Sequence, residues 1–356
     1  MGGRRADLPM DRRADLVAKT SAPASLGDDS GLLEALRDCG LLGAGETAIF
    51  TPLTGGVSSD VFKAVTRDGP AMVVKRSIPR LRVAAEWLAP VERAQSEVAW
   101  IETARAIDGR FAPRILAVLA ERNLFVMEYL DGATHPVWKD VMAAGRIDCA
   151  FAGKVGRDLA LIHARTAGRS DMAARFNADE MFFALRISPF LLHAAKRHAD
   201  VAARMRALAA DLARRKIALA HGDISPKNIL VGPAGPVFLD AECAVYGDPA
   251  FDLAFCLSHL LLKTVWLRDR RAAVMAAFDA LRGAYGAGVT WEAAQAVSRR
   301  AAALIGALLL ARVDGKSPAP YLTRAADKAL VRRGAKQLLM AGGLDLDGVA
   351  RLWRAS

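Results

Sequence analysis

The chain has 356 residues, of which 53% are hydrophobic and 24% are charged. A chain of this length and composition buries a sizeable core, so wholesale disorder is excluded and two domains or lobes are expected. The formal net charge is +11, but lysine and arginine are spread among acidic residues, as on an ordinary solvated surface. We therefore expect no nucleic-acid partner, while the excess charge suits the attraction of anionic small molecules.

The cysteines and the apolar runs indicate in which cellular compartment the protein is expected. Cys39, Cys149, Cys243 and Cys256 share no C-x-x-C spacing, which predicts free thiols in a reducing compartment. The longest apolar runs, AFCLSHLLL and AAALIGALLLA, fall short of the roughly 20 residues that a transmembrane helix needs. The basic N-terminus has no following apolar segment, unlike a secretory signal. We expect a cytoplasmic protein with no membrane partner, either a monomer or a homodimer.

The first part of the chain reads as a leader followed by a small sheet. Residues 1–29 are polar and predict a flexible leader, and GLLEALRDCGLL then predicts a short helix capped by Ser30. AIFTPL, DVFKAVT and AMVVKRS predict strands separated by turn sequences. A helix is expected from about Arg93 to Ile107, and RILAVLAERNLFVMEYL predicts two strands with a turn at Arg122 and Asn123. Residues 30–130 therefore predict an antiparallel sheet with one inserted helix.

The second part of the chain, residues 131–356, is rich in alanine and leucine with helical periodicity, as in AGKVGRDLALIHART and RRAAALIGALLLARV. Two short strands are expected to interrupt these helices, and no repeat of solenoid length is present. The predicted fold class is α+β, with a small antiparallel β-sheet lobe and a larger, mainly helical lobe.

A dense set of polar residues lies between apolar runs in LAHGDISPKNILVGPAGPVFLDAEC, residues 219–243. Asp223 and Asn228 have the spacing of the H-R-D-x-x-x-x-N catalytic loop, in which the aspartate orients an attacking hydroxyl and accepts its proton. NILV and VFLD predict a hairpin that returns Asp240 to Asn228. Both residues offer the oxygen ligands that Mg²⁺ prefers, and Glu242 is a third candidate. Singly, such residues are common in turns, but together they favour one site.

Two further features adjoin this stretch. His221 is expected to be a partly buried histidine that holds the loop rather than an acid or base. YGDPAFDLAFCLSHLLLK predicts a helix with Asp248 as N-cap and Pro249 at its first position. For Asp252, one turn into that helix, we hypothesise that it accepts hydrogen bonds from the catalytic-loop backbone and fixes Asp223.

A phosphate-binding turn is expected in LTGGVSSDVFKAV. Gly55 and Gly56 permit a tight turn, and Ser58 and Ser59 offer backbone N–H groups and hydroxyls, although an ordinary hairpin explains the glycines equally well. Lys75 ends the next strand, in the order and context of the V-A-I-K lysine. The alternative is an edge lysine whose ammonium reaches solvent.

Two other parts of the first lobe complete the expected nucleotide site. Glu97 is the candidate carboxylate for orienting Lys75, and Glu86, Glu92 and Glu102 remain possible. In LFVMEYLDG, the backbone groups of Glu128, Tyr129 and Leu130 are candidates for pairing with an adenine edge, with Met127 behind it.

The motifs H-G-D-x-x-x-x-N, D-A-E and G-D-P-x-x-D-L-A resemble those of the aminoglycoside phosphotransferase and choline kinase-like superfamily, over about residues 45–350. The resemblance implies a bilobal protein-kinase-like fold that uses ATP and Mg²⁺. It also implies that Asp223 is the catalytic base, that Asn228 and Asp240 bind Mg²⁺, and that Lys75 contacts the ATP phosphates.

Within the superfamily, VVKRSIPRLRVAAEWLAPVERAQSE and LDAECAVYGDPAFDLA are similar to the methylthioribose kinase branch. That resemblance implies a metal-binding role for Glu242 and a sugar-facing role for Arg332 and Arg333. The chain departs from the branch by having Asn228, and WKDVMAAGRIDC to RFNADEMFFALRISPFLL matches it poorly.

These features predict an ATP-dependent small-molecule kinase acting on an alcohol group, with a methylthioribose-like sugar, an aminoglycoside or an amino alcohol such as choline as acceptor. The carboxylates between residues 134 and 190 are balanced by lysine and arginine, which favours a neutral or anionic metabolite over a polycationic antibiotic. A nucleotide-binding pseudokinase or regulatory module is the alternative of another class.

Overall fold

The computed structural model describes residues 29–53, 58–82, 87 and 90–355. The chain divides into two compact units, Met1–Thr47 and Ala48–Ser356. In the first unit, helix α1 spans Asp29–Asp38 and buries Leu32 and Leu36. Because α1 begins at Asp29, Ser30 lies in its first turn and is not the cap that the sequence predicted. The rest of the predicted leader, residues 1–28, lies outside the described residues.

The second unit begins with a five-stranded antiparallel sheet of order β1-β2-β3-β5-β4. Its strands are β1 Ala48–Pro52, β2 Ser59–Thr66, β3 Met72–Ser77, β4 Ile115–Leu119 and β5 Leu124–Glu128. Helix α2, Arg93–Ile107, lies between β3 and β4 in the chain, and a 3₁₀ turn, Ala120–Arg122, joins β4 to β5. The predicted sheet with one inserted helix is therefore confirmed.

The remainder of the second unit is mainly helical, as predicted. Its α-helices are α3 Trp138–Ala143, α4 Cys149–Thr166, α5 Ser170–Arg175, α6 Asp179–Phe182, α7 His193–Ala195, α8 Ala202–Arg214, α9 Ala250–Trp266, α10 Arg271–Ala287, α11 Ala294–Asp314, α12 Ala325–Ala341 and α13 Leu346–Ala355. A π-helical segment, Phe183–Leu192, joins α6 to α7, and a 3₁₀ turn, Arg268–Arg270, joins α9 to α10. In the described part of the chain no single helix is long and apolar enough to span a membrane, although α9 and α10 pass that test together as a pair bent by 116°.

Four short strands interrupt these helices, where the sequence predicted two. They are β6 Ala218–Ala220, β7 Ile229–Val231, β8 Pro236–Phe238 and β9 Val245–Gly247. The predicted hairpin is β7 paired with β8, while β6 pairs with β9. Strand β8 ends at Phe238 and not at Asp240, because Asp240 has a φ of 67°, a left-handed conformation that no strand accommodates.

A single cluster of buried apolar side chains runs from Val73 in β3 to Trp353 in α13. Helix α9 lies within it, with all residues from Ala250 to Val265 buried. Helices α4 and α10 pack so closely that a Cβ at Gly156 would lie 2.2 Å from the carbonyl oxygen of Leu281. This core fixes α9 beneath the loop between β6 and β7.

Candidate active site

The loop between β6 and β7 carries the H-G-D motif, and α9 holds its backbone. Gly222 has a φ of 80°, and a Cβ there would lie 2.6 Å from the carbonyl oxygen of Cys243, so only glycine fits. The carboxylate of Asp252 accepts hydrogen bonds from the backbone N–H groups of His221, at 2.6 Å, and Gly222, at 2.8 Å. The structure thus contains the hydrogen bonds hypothesised for Asp252.

His221 braces the loop from inside. Its Nδ1 accepts a hydrogen bond from the backbone N–H of Asp223 at 3.1 Å, so its proton is on Nε2, which donates to the carbonyl oxygen of Leu239 at 3.1 Å. The ring packs edge-on against Trp100, with centroids 4.7 Å apart. Burial lowers the pKa of His221, which keeps it neutral. His221 is fully buried, where the sequence predicted partial burial.

Asp252 is itself oriented by a second buried histidine. His163 Nε2 lies 3.2 Å from an Asp252 carboxylate oxygen, and its Nδ1 lies 2.8 Å from the Tyr285 hydroxyl. All three residues are buried. The backbone position of the loop between β6 and β7 therefore depends on a carboxylate that His163 and two backbone N–H groups hold in place.

We expect Asp252→Asn to lower both turnover and thermal stability. The asparagine amide has one acceptor oxygen, so it can accept from only one of the two backbone N–H groups and places its NH₂ against the other N–H group. A buried donor left unsatisfied costs about 1–3 kcal/mol. Steady-state kinetics and thermal melting measure the two effects. A lower melting temperature with unchanged kcat would show that Asp252 stabilises the fold without positioning Asp223.

Three groups contact the carboxylate of Asp223. Lys227 Nζ lies 3.0 Å from Oδ2, Arg186 Nη2 lies 3.2 Å from the same oxygen, and Asn228 Nδ2 donates to it at 2.8 Å. Burial would raise the pKa of Asp223, but Lys227 and Arg186 lower it below its ordinary value. The group is therefore a carboxylate at neutral pH, suited to accepting a hydrogen bond from a hydroxyl.

Asn228 and Asp240 lie at the two ends of the β7–β8 hairpin, where the backbone N–H of Leu239 donates to the carbonyl oxygen of Asn228 at 2.9 Å. The Asn228 amide nitrogen is turned toward Asp223, which leaves its oxygen as a ligand. Asp240 Oδ1 lies 2.6 Å from Lys75 Nζ. Burial would raise the pKa of Asp240, but Lys75 and Lys227 hold it well below its ordinary value.

These oxygens fit a magnesium ion. Mg²⁺ is held in phosphotransfer sites by one or two protein oxygens together with substrate phosphates and water, and an amide oxygen with an ionised carboxylate supplies that set. No group of three or more His, Cys, Asp or Glu side chains suited to a metal occurs in the part of the chain that the structure describes. The side-chain oxygens of Asn228 and Asp240 therefore suit a metal ion that is also coordinated by phosphate oxygens, rather than an ion coordinated by protein atoms alone.

Lys75 joins the sheet to this hairpin. Besides Asp240, it contacts Glu97 in α2, with its Nζ 2.8 Å from Oε1 and 2.7 Å from Oε2. Burial would lower the pKa of Lys75, but the two carboxylates raise it. Burial raises the pKa of Glu97, against the effect of Lys75.

The other glutamates considered as partners of Lys75 do not occupy this position. Glu102 pairs with Arg175 at 2.6 Å and Glu92 is exposed, while Glu86 lies outside the described residues. Glu97 is thus the carboxylate that the structure brings to Lys75.

Glu242 occupies a different setting from Asp240. Its Oε2 lies 3.0 Å from Nε of Arg93, a fully buried residue at the start of α2. Arg93 also donates to the carbonyl oxygens of Ser58 and Ile78. The glutamate is therefore linked through one guanidinium to the strand that follows the predicted phosphate-binding turn.

The remaining residues predicted to bind the nucleotide lie along the sheet. Gly55 and Gly56 lie outside the described residues, and Ser58 and Ser59 are buried where β2 begins. The Ser59 hydroxyl is buried with no hydrogen-bond partner among the described residues.

At the other end of the sheet, the side-chain carboxylate of Glu128 accepts a hydrogen bond from the backbone N–H of Arg114 at 2.7 Å. Lys63 Nζ lies 4.2 Å from the ring centroid of Tyr129, and Leu130 follows, half-buried. Their pairing with adenine stays a prediction.

The two predicted sugar-facing arginines lie on α12. Arg332 makes a bidentate ion pair with Asp314, at 2.7 and 2.8 Å, and Asp314 also contacts His198 at 3.0 Å. Arg333 is exposed. Among the described contacts, none links either arginine to Asp223, so their role in substrate binding stays a prediction.

Sequence reasoning did not identify Arg186 and Lys227 as contacts of Asp223, nor Arg93 as the partner of Glu242. Lys227 directly precedes Asn228 in the motif, and this adjacency was an available signal. Arg186 lies in the π-helical segment, where the unusual turn directs its guanidinium to the carbonyl oxygen of Gly222 at 2.5 Å. No local pattern marks that contact.

Comparison with known proteins bears on the family and on the fold. The model of the phosphotransferase enzyme family APH matches residues 49–297. The solved structure of an amicoumacin kinase, hAmiN, with AMP-PNP, Ca²⁺ and Ami is 14% identical, with a TM-score of 0.54 over 84% of this chain and 91% of that chain. Choline kinase LicA from Streptococcus pneumoniae is 15% identical, with a TM-score of 0.51 over 88% and 99% of the two chains. No curated protein sequence matches the chain. The structural similarities concern the fold.

Proposed function

Because the chain belongs to the APH phosphotransferase enzyme family, we propose that it transfers the γ-phosphoryl group of ATP to a hydroxyl group of a small molecule. Membership confirms the superfamily that the H-G-D-x-x-x-x-N and G-D-P-x-x-D-L-A motifs predicted. The family match does not distinguish the methylthioribose kinase branch from other members of the superfamily, so assignment to that branch stays a prediction.

The observation that carries the proposal is the buried link between the two lobes through Lys75. This lysine contacts Glu97 from α2 and Asp240 from the hairpin, and Asp240 lies beside the loop of Asp223. Phosphoryl transfer requires positioning and charge neutralisation more than covalent chemistry. A cation between two carboxylates at a lobe boundary suits the phosphates of a nucleotide.

In the proposed reaction Asp223 accepts a hydrogen bond from the acceptor hydroxyl and orients it toward the γ-phosphorus. The new oxygen–phosphorus bond forms as the bond to the β-phosphate oxygen breaks, ADP leaves, and the hydroxyl proton passes to Asp223 and then to water. Lys75 and Lys227 offset negative charge on the phosphates. Asn228 and Asp240 would hold Mg²⁺, with Glu242 a further candidate, and the ion would supply additional charge neutralisation there.

The nucleotide itself is proposed to lie against the first lobe. Ser58 and Ser59 would approach the phosphates together with the turn at Gly55 and Gly56. The backbone between Glu128 and Leu130 would meet the adenine, with Tyr129 at its edge. Arg332 and Arg333 remain candidates for contacting a sugar acceptor.

An ADP-release assay tests this function. Purified protein is mixed with Mg·ATP and a panel of sugars, amino alcohols, aminoglycosides and hydroxy acids, and ADP is measured by a coupled enzyme. We expect saturable, acceptor-dependent ADP release that is lost on chelation of the metal. ATP binding without acceptor-dependent ADP release across the panel would favour the pseudokinase alternative.

A further inference from the structure

Two cationic side chains are buried in the helical lobe and contact no carboxylate in the part of the chain that the structure describes. Lys263 on α9 is 1% exposed and Arg312 on α11 is 8% exposed. Among the described residues neither forms an ion pair, and Arg312 Nη1 bonds instead to the carbonyl and hydroxyl oxygens of Ser317. Buried charges in proteins are normally paired, because an isolated one loses its hydration. Lys263 and Arg312 therefore have no carboxylate in direct contact among the described residues, although Asp140 interacts with Lys263 electrostatically without forming an ion pair.

Polar atoms around these cations also have no hydrogen-bond partner. His259 Nε2, Arg312 Nε and the Tyr321 hydroxyl are buried and unpaired among the described residues. His259 is 5% exposed. Native proteins leave few buried polar atoms unpaired, and such atoms are commonly satisfied by water, an ion or a ligand. Arg312 Nε can only donate and the Tyr321 hydroxyl can donate as well as accept, so an occupant with acceptor oxygens satisfies both.

Aromatic rings form one wall of this group. Lys263 Nζ lies 5.0 Å from the ring centroid of Trp266 and 4.7 Å from that of Tyr321, and the two rings are 4.8 Å apart. Cation–π contacts offset part of the cost of burying the ammonium. They supply no counter-charge.

Helix α9 connects these groups to the catalytic loop. Asp252, which holds that loop, shares a helix face with His259 and Lys263, because the intervals are seven and four residues. At 1.5 Å rise per residue, His259 lies about 10 Å and Lys263 about 16 Å along the axis from Asp252. Arg186, which contacts Asp223, lies 5.9 Å from the ring centroid of Phe255 on the same helix, and Phe255 in turn contacts His259. His259 and Arg312 both interact electrostatically with Arg186, and Arg312 also interacts with Asp223, so Lys263, His259 and Arg312 lie in the same region of the lobe as Asp223.

We propose that Lys263, Arg312 and His259 bind an oxyanion of the phosphate acceptor, so that the acceptor is a hydroxyl compound carrying a carboxylate or phosphate group. This assignment rests on the proposed phosphotransfer function and identifies its substrate class. A polycationic antibiotic or a quaternary amino alcohol would place like charges beside Lys263 and Arg312.

A series of acceptors that differ in charge at one end tests the proposal on the wild-type protein. Sorbitol is neutral, gluconate carries a carboxylate, sorbitol 6-phosphate a phosphate, and glucamine an ammonium. Each is titrated calorimetrically in the presence of a non-hydrolysable ATP analogue and is assayed for ADP release. We expect gluconate or sorbitol 6-phosphate to bind at least about 10-fold more tightly than sorbitol, as for hydrogen bonds to charged groups, and glucamine to bind weakest.

Variants locate the binding group. Lys263→Met and Arg312→Met are each expected to weaken binding of the oxyanion by about 10- to 100-fold and to raise KM more than they lower kcat. Arg206→Gln, which removes one charge from the exposed side of α8, is the matched control and is expected to change neither. Folding of each variant is checked by circular dichroism, and the wild-type charge series remains decisive if a variant does not fold.

The pH dependence of gluconate binding gives a readout that a structural role would not produce. Burial lowers the pKa of Lys263 to about 7, and Lys139 contributes in the same direction, while Asp140 opposes them. Arg312 also lowers the pKa of Lys263, and the Tyr321 ring lies against the Lys263 ammonium. Because the oxyanion favours the protonated lysine, affinity should be full below pH 7 and should fall as the pH rises above it. Lys263→Met should remove this dependence.

The outcomes separate the two proposals. Preferential binding and phosphorylation of an oxyanionic polyol supports both. Phosphorylation of sorbitol or glucamine in preference to the oxyanions would overturn the acceptor assignment and leave the phosphotransfer function standing. Oxyanion binding without ADP release would support the binding group and contradict the function. If neither gluconate nor sorbitol 6-phosphate binds more tightly than sorbitol, the assignment is wrong.

Discussion

Asp223→Asn is expected to lower kcat by about 10²- to 10⁴-fold, the usual contribution of a positioned acid or base, while ATP still binds. The substitution keeps the side-chain shape but removes the charge that accepts the hydroxyl proton. It also leaves Lys227 and Arg186 facing an uncharged amide. Steady-state ADP release with a saturating acceptor measures kcat, and calorimetry measures ATP binding.

The control for this substitution is Asp211→Asn, which removes an exposed carboxylate from α8 and is expected to leave kcat unchanged. Equal melting temperatures of the two variants and the wild type would exclude unfolding as the cause. Retention of kcat by Asp223→Asn would show that another group orients the hydroxyl.

Arg93→Met is expected to destabilise the protein by about 3–5 kcal/mol, because it leaves Glu242 buried without its cation. It also removes the donors to the carbonyl oxygens of Ser58 and Ile78. Denaturant unfolding followed by circular dichroism measures the free energy of unfolding.

A double-mutant cycle with Glu242→Gln isolates the pair. Since Arg93 and Glu242 are in contact at 3.0 Å, a coupling energy of about 0.5–3 kcal/mol is expected. Lys328→Met is the control for loss of a long cationic side chain. Lys328 is half-buried and lies in α12, far from Arg93 in the sequence. Additive effects within error would show that the ion pair does not hold Glu242.

Local motifs were the most predictable part of the molecule. The strand carrying Lys75, helix α2 with Glu97, and the hairpin between Asn228 and Asp240 each combine a periodic apolar pattern with turn residues. Such patterns reflect short-range chemistry, which a single sequence contains. The pairing of β6 with β9 was missed, because residues 221–244 separate these strands and no single turn joins them, unlike β7 and β8.

Contacts made by charged residues across the chain were not predictable. Arg93 begins a segment that was predicted to be a helix with one apolar face, and an arginine in such a helix normally faces solvent. The burial of Arg93 and Arg186 depends on partners far away in the chain, since Glu242 is 149 residues from Arg93 and Gly222 is 36 residues from Arg186. The spacing of Asp252, His259 and Lys263 on α9 was visible, but the surrounding apolar run indicated only a core helix.

The most direct test of the proposed phosphotransfer follows the γ-phosphoryl group itself. ATP labelled at the γ-phosphorus is incubated with the protein, Mg²⁺ and a saturating acceptor, and the products are separated and identified by ³¹P NMR and mass spectrometry. We predict a phosphate monoester of the acceptor formed in equal amount with ADP, and its loss in Asp223→Asn. Label found only in inorganic phosphate, or AMP formed in place of ADP, would contradict the proposed transfer to a hydroxyl group.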